Sequence, residues 1–165
     1  MKVALVSDSH DNKSAILRFV ERVREAKPEL IIHCGDYISP FTARFFKGAG
    51  IKLVGVLGNN DGDRNHLIAT YRELLNAEID AYVRFLRIED KVLAVHHGHD
   101  QGLLNDLLSL NSVDVVVHGH THNYEVKREG DKLVINPGEL CGYLSGESTF
   151  ALLDVRTLKV EFVFL

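Results

Sequence analysis

Apolar residues in this chain fall into short blocks whose spacing switches between two periods. Residues 2–7, 30–34 and 51–57 are runs of strand length, almost wholly apolar. Between the first two, Ile16, Phe19, Val20 and Val23 recur at helical spacing, and Pro28 marks the end of that helix. Ser39 and Pro40 predict an N-cap and a first helical position, opening a short helix through Phe46. Leu67, Ile68, Tyr71, Leu74 and Leu75 stripe one face of a further helix. The pattern then changes. Residues 82–88 and 92–95 predict a hairpin turning at Glu89, Asp90 and Lys91, and a leucine-striped helix (Leu103, Leu104, Leu107, Leu108) leads into a strand at 113–117. Two more hairpins turn around Gly130-Asp131 and Arg156-Thr157. In the last strand Leu158, Val160, Phe162 and Phe164 alternate with Lys159, Glu161 and Val163, which predicts that the first set is buried. No linker, repeat or low-complexity tract interrupts residues 1–165, which read as one α/β domain with a mixed sheet or two stacked sheets.

Composition narrows the function. The chain has 165 residues, 45% hydrophobic and 25% charged, enough for one filled core and outside the range of disordered chains. Nineteen basic against twenty-three acidic side chains leave a net charge of −4, with no stripe of Lys and Arg. Extended nucleic acid and anionic membranes are therefore not expected partners. No apolar run approaches the ~20 residues of a membrane span, and the first residues lack the pattern of a signal peptide, so the expected location is the cytoplasm. Cys34 and Cys141 fit no Cys-x-x-Cys spacing and read as small buried fillers. The nine histidines are the unusual feature, because His96, His97 and His99 form one knot and His118, His120 and His122 another.

Position gives these residues their meaning. Asp8-Ser9-His10 follows the first strand, Gly35-Asp36 the second, and Gly58-Asn59-Asn60-Asp61 the third. His96-His97-Gly98-His99 and Gly119-His120-Thr121-His122 follow two later strands. Helical crossovers make the first three strands parallel, so their carboxyl ends open on one edge, where ligands of open α/β sheets bind. In extended backbone, Asp-x-His and His-x-His would place both side chains on one face. Carboxylate, amide and imidazole donors together suit a borderline transition metal such as Mn²⁺, Fe²⁺, Co²⁺, Ni²⁺ or Zn²⁺. Seven such donors are too many for one ion and suitable for two, and a single carboxylate can bridge a pair ~3.5–4 Å apart. One Asp or Asn alone would more simply cap a turn. His33 and His118 precede the turns on buried strands and read as core or supporting residues, and His66 as solvated. A dinucleotide fingerprint, a P-loop, His-Glu-x-x-His and Gly-x-Ser-x-Gly are all absent.

These blocks, in this order, resemble the calcineurin-like metallophosphoesterase superfamily, and Asn136-Pro137-Gly138 adds a sixth match. The small size, the Gly-Asn-Asn-Asp block and the Asn-Pro-Gly loop look like its compact archaeal and bacterial phosphodiesterase branch, related to the retromer scaffold subunit. The resemblance implies a four-layer α/β/β/α sandwich with mixed sheets. It also implies one ion on Asp8, His10 and His122, another on Asn59, His97 and His120, and Asp36 as the bridge. The expected reaction is hydrolysis of a small phosphodiester by a hydroxide bridging two divalent ions. The alternatives are a phosphomonoesterase or a protein-binding scaffold, and retention of both Asp8 and His10 favours the enzyme. A nucleic acid would be a substrate only as a small nucleotide, and a homo-oligomer is left open. Asn60 departs from the superfamily's commoner histidine, which is thought to protonate the leaving group or bind phosphate. An amide cannot deliver a proton, which leaves His99 or a metal-bound water as the acid.

Overall fold

The computed structural model describes residues 1–165. Its elements run β1 (Lys2–Val6), α1 (Lys13–Ala26), β2 (Leu30–His33), α2 (Ala43–Phe46), β3 (Leu53–Val56), α3 (Arg64–Leu75), β4 (Glu78–Asp80), β5 (Val83–Ile88) and β6 (Lys91–His96). They continue with α4 (Gln101–Ser109), β7 (Val115–Val117), β8 (Tyr124–Glu129), β9 (Lys132–Pro137), β10 (Thr149–Asp154) and β11 (Lys159–Phe164). Two mixed sheets result, ordered β11-β10-β1-β2-β3-β4 and β5-β6-β7-β9-β8. Strand β1 lies inside the first sheet, parallel to β2 and antiparallel to β10.

The layers follow from which face of each strand is apolar. Alternate residues of β1 divide between two cores: Ala4 and Val6 pack with Phe19, Val20 and Val23 of α1, whereas Val3 and Leu5 meet the second sheet. The inter-sheet core joins Ile32, Val54 and Val56 to Val95, Val117 and Ile135. A smaller core sets Leu104 and Leu107 of α4 against Ala94 and Val116. Each Val, Leu, Ile or Phe among them contributes about 1.5–3 kcal/mol when fully buried. The order is helix, sheet, sheet, helix, as the resemblance implies.

Local differences from the sequence reading have physical causes. Ser39 takes the N-cap position with Pro40 at the first helical position, but its side chain bonds to Asp11 and makes no cap, and the first turn, Pro40–Thr42, is 3₁₀ before the short α2. Strand β4, three residues long, is too short to show a period. In β11 the alternation fails at the end, because Val163 joins the core beneath α1 while Phe164 is exposed beside Tyr124. No helix is long and apolar enough to cross a membrane.

Candidate metal centre

The carboxyl ends of β1, β2 and β3 lie against those of β6 and β7. The backbone ties them together: Asp8 N–H donates to the Gly35 carbonyl (3.0 Å) and Gly119 N–H to that of His97 (2.8 Å). Asp8, His10, Asp36, His120 and His122 all have positive φ, between 39° and 70°. This left-handed backbone is uncommon outside glycine and persists where surrounding structure holds it. The pairs Asp8/His10 and His120/His122 therefore converge through tight turns beyond the strand ends and not through extended alternation. Glycine is needed where the turns touch. A Cβ on Gly119 would lie 1.9 Å from Ser7 Oγ, and one on Gly58 would lie 2.1 Å from Asp36 Oδ1.

Asp8, Asp36 and His97 are wholly buried, with His10 and His122 at the rim. Asp8 Oδ1 lies 3.7 Å from His10 Nε2, 3.5 Å from His122 Nε2 and 4.0 Å from His97 Nε2. Asp36 Oδ2 lies 3.4 Å from His10 Nε2 and 3.3 Å from His97 Nε2. Asp8 Oδ1, His10 Nε2 and His97 Nε2 are nonetheless buried without a well-aligned hydrogen-bond partner. Ligand atoms ~2.1 Å from a tetrahedral ion stand ~3.4 Å apart, so these separations fit donors that share a cation. Three sets of converging donors emerge: Asp8-His10-His122 and Asp8-Asp36-His97, which share Asp8, and His122-Glu139-Cys141 behind the His122 ring. His120 places its ring 5.1 Å from that of His97 and its N–H on Asp8 Oδ2 (3.1 Å), without completing any of these sets. Asn59 is exposed on the adjoining loop.

Supporting contacts fix the tautomers. A carbonyl or carboxylate oxygen can only accept, so His97 Nδ1–H donates to the Cys34 carbonyl (2.8 Å) and His122 Nδ1–H to Glu139 (2.7 Å). Both Nε2 lone pairs then point into the cluster. Asp61, read from sequence only as part of its block, accepts from the backbone N–H groups of Ile38, Gly58 and Asp36 and so pins two of the turns. Asn60 donates through its backbone N–H to Asp36 Oδ1 (2.9 Å) and through its amide to Oδ2 (2.8 Å). Glu139 was not anticipated. The signal available was a carboxylate at the head of the glycine-rich 138–146 loop, directly after Asn-Pro-Gly.

Charge in the cluster is lopsided. Burial raises the Asp8 and Asp36 carboxyls, but the imidazoles around them more than compensate and hold both below the usual range. In return Asp36 and then Asp8 lift His10 to about 10. Burial, and then the neighbouring rings of His97, His96 and His120, lower His99 and so disfavour its protonated form. Farther back, burial lowers His33 to about 3. His33 Nδ1 accepts from Gly35 N–H (3.2 Å), its Nε2 meets Ser9 Oγ (3.1 Å), and its ring stacks on Tyr37. Cys34 and Cys141 are both buried and free.

Residues 1–158 match the model of the calcineurin-like phosphoesterase superfamily domain. The chain belongs to that superfamily. Its likeness to the phosphodiesterase MJ0936 of Methanocaldococcus jannaschii is 37% identity, covering 100% of this chain and 99% of that protein. Phosphodiesterase YfcE of Escherichia coli is 27% identical over 97% of this chain and 91% of its own. Among solved structures, an archaeal phosphodiesterase superposes with a TM-score of 0.95 at 34% identity, covering both chains fully. Vps29 of Entamoeba histolytica, solved with zinc, superposes at 0.72 and 19% identity over 99% of each chain, which shows the shared fold. Metallophosphoesterases use divalent ions, and the oxygen and nitrogen donors converging here fit them.

Proposed function

We propose that this chain hydrolyses small phosphodiesters with two divalent transition-metal ions held by Asp8, His10, Asp36, Asn59, His97, His120 and His122. The observation that carries the reading is the meeting of Asp8, Asp36, His10, His97 and His122, with three buried donor atoms aimed at one another and unpartnered. The phosphodiesterase names of MJ0936 and YfcE support it. When bound, the ions supply water activation and Lewis-acid stabilisation of the phosphoryl oxygens. The chain holds Asp8 and Asp36 ionised in a buried site, where their charge draws in cations and offsets part of it.

The side chains also bear on substrate choice. The Asn60 amide is engaged with Asp36, and burial disfavours the protonated form of His99, so neither is a ready proton donor. A leaving group that departs as an anion without help suits such a site. A monoester would bring about one further negative charge beside two ionised aspartates. Arg64, the cation near the third turn, is engaged with the carbonyls of Gly58 and Asp61. Diesters with good leaving groups are therefore the expected substrates, and Mn, Ni, Co, Fe or Zn the expected metals. The test is elemental analysis of the purified protein coupled to hydrolysis of an aryl phosphodiester and the matching monoester. Close to two ions per chain with a higher kcat/KM for the diester is expected, and a preference for the monoester would overturn the diester reading.

A further inference from the structure

Glu139 is fully buried, and six donors converge on its two oxygens. Oε2 accepts from His122 Nδ1–H (2.7 Å), Cys141 Sγ–H (2.9 Å) and Tyr143 N–H (3.1 Å). Oε1 accepts from Leu144 N–H (2.9 Å), Ser145 N–H and Ser145 Oγ–H (2.7 Å). Only an ionised carboxylate accepts from all six, because an amide in its place would turn an NH₂ group against three donors whichever way it faced. The two oxygens differ. Oε1 takes donors from the 139–145 loop alone, while Oε2 takes two from that loop, Cys141 and Tyr143, and one from His122 of a different turn. A device for folding the loop needs the contacts within the loop and not the contact to His122.

We propose that Glu139 is a positioning residue for His122, fixing its Nδ1–H tautomer and ring orientation so that Nε2 is presented to the ion shared with Asp8 and His10. The inference rests on the dinuclear reading above. A carboxylate behind a metal-binding histidine orients the ring and raises its basicity, and its loss commonly costs 10–100-fold in metal affinity. Here the carboxylate is pre-aligned by contacts that hold with or without an ion, so the ordering cost is met on folding. The effect falls on one metal position, because His97 takes its orientation from the Cys34 carbonyl instead.

The test compares wild type, Glu139→Gln and Ser145→Ala in two measurements. Nitrogen-15 NMR of the imidazoles in chelator-treated protein should report His122 as the Nδ1–H tautomer in wild type and in Ser145→Ala, and as a tautomer mixture in Glu139→Gln. Calorimetric titration with Mn²⁺ should show one of two binding events weakened about 10–100-fold in Glu139→Gln and the other within about twofold of wild type. Ser145→Ala removes a donor from the loop side alone, and its affinities should stay near those of wild type. Unchanged tautomer and affinities in Glu139→Gln would overturn the proposal, as would an equal loss in Ser145→Ala, which would trace the effect to loop folding. If Glu139→Gln does not fold, Glu139→Asp carries the test, because it keeps the charge and withdraws it by one methylene. The tautomer measurement decides the role of Glu139 even where wild type takes up fewer than two ions, an outcome that would instead overturn the dinuclear reading.

Discussion

His122 and Asp8 are each held by a second contact, from Glu139 and from the His120 N–H, whereas on the other side of the cluster only His97 has such support. The His120 ring and the Asn59 amide make no side-chain hydrogen bond, and Asn59 is exposed. On the proposed assignment, the half with Asp8 and His122 is the more firmly held in the folded chain, although His10 Nε2 has no partner there, and the other half must fix two side chains when it acquires a ligand. Ordering a side chain costs free energy on binding, so the two halves should differ in affinity although their donors are chemically alike.

Asp36 Oδ2 lies 3.4 Å from His10 and 3.3 Å from His97, one from each half of the proposed assignment in which it is the bridge, and its replacement should have the largest effect. Asp36→Ala should remove both ions or leave one weakly held, and lower kcat/KM for an aryl diester by about 10³-fold or more, the scale of losing metal-ion stabilisation. Elemental analysis checks it, and a full metal complement in the variant would show that Asp36 bridges nothing.

A gain of activity should come from Asn60→His. General acid catalysis contributes ~10²–10⁴-fold where proton delivery limits the rate, so alkyl diesters should gain and nitrophenyl diesters, which leave unaided, should gain much less. The comparison is kcat/KM for both ester types, with metal content measured in each protein. Equal effects would assign position 60 to holding Asp36 or phosphate and not to the leaving group.

The asymmetry itself is probed by Asn59→Ala beside His122→Ala. Asn59→Ala should weaken the looser ion and spare the tighter, and His122→Ala should do the reverse. Two variants that weaken the same binding event in a Mn²⁺ titration would dissolve the distinction between the halves.

Much of this centre was legible because its residues sit at strand ends, and strand ends are marked by where apolar runs stop. Asp8, Asp36 and His97 are found together for that reason. The route by which the side chains converge was not legible. Positive φ at Asp8, His10, His120 and His122 is imposed by tertiary contacts such as those at Gly119, which no local propensity encodes. Glu139 was missed because nothing local to a glycine-rich loop marks a buried side chain, and its burial depends on six donors, one of them seventeen residues away. Phe164 was misplaced because alternation at a strand end says nothing of where the covering layer stops. Val163 is buried there because α1 and its neighbours extend beneath it.

A separate effect, on the stability of the fold and not on metal affinity, is expected behind the metal cluster, at His33. Its native value near 3 lies below the usual 6.5, so as pH falls from 6.5 the unfolded chain takes up a proton that the folded chain refuses. Stability from this group is complete above pH 6.5 and should decline toward pH 3, by at most about 1.4 kcal/mol per pH unit. Urea unfolding at several pH values, in wild type and His33→Asn, checks it. An unchanged slope in the variant would remove His33 from the acid sensitivity of the fold.

The place of β1 in its sheet has a consequence for how the chain comes off the ribosome. Its register partners are Leu30–His33 on one side and Ala151–Asp154 on the other, so the first strand made is paired on its second edge only by nearly the last. The N–H groups of Leu140 and Cys141, which cap the carbonyls of Ser7 and Asp8, also arrive late. Contacts of such sequence separation slow folding, and until they form β1 offers an open edge to other chains. A nascent or truncated chain that stops before Thr149 therefore has all four of its helices and all of its candidate metal donors, yet lacks β10 and β11, the strands that complete its first sheet beside β1.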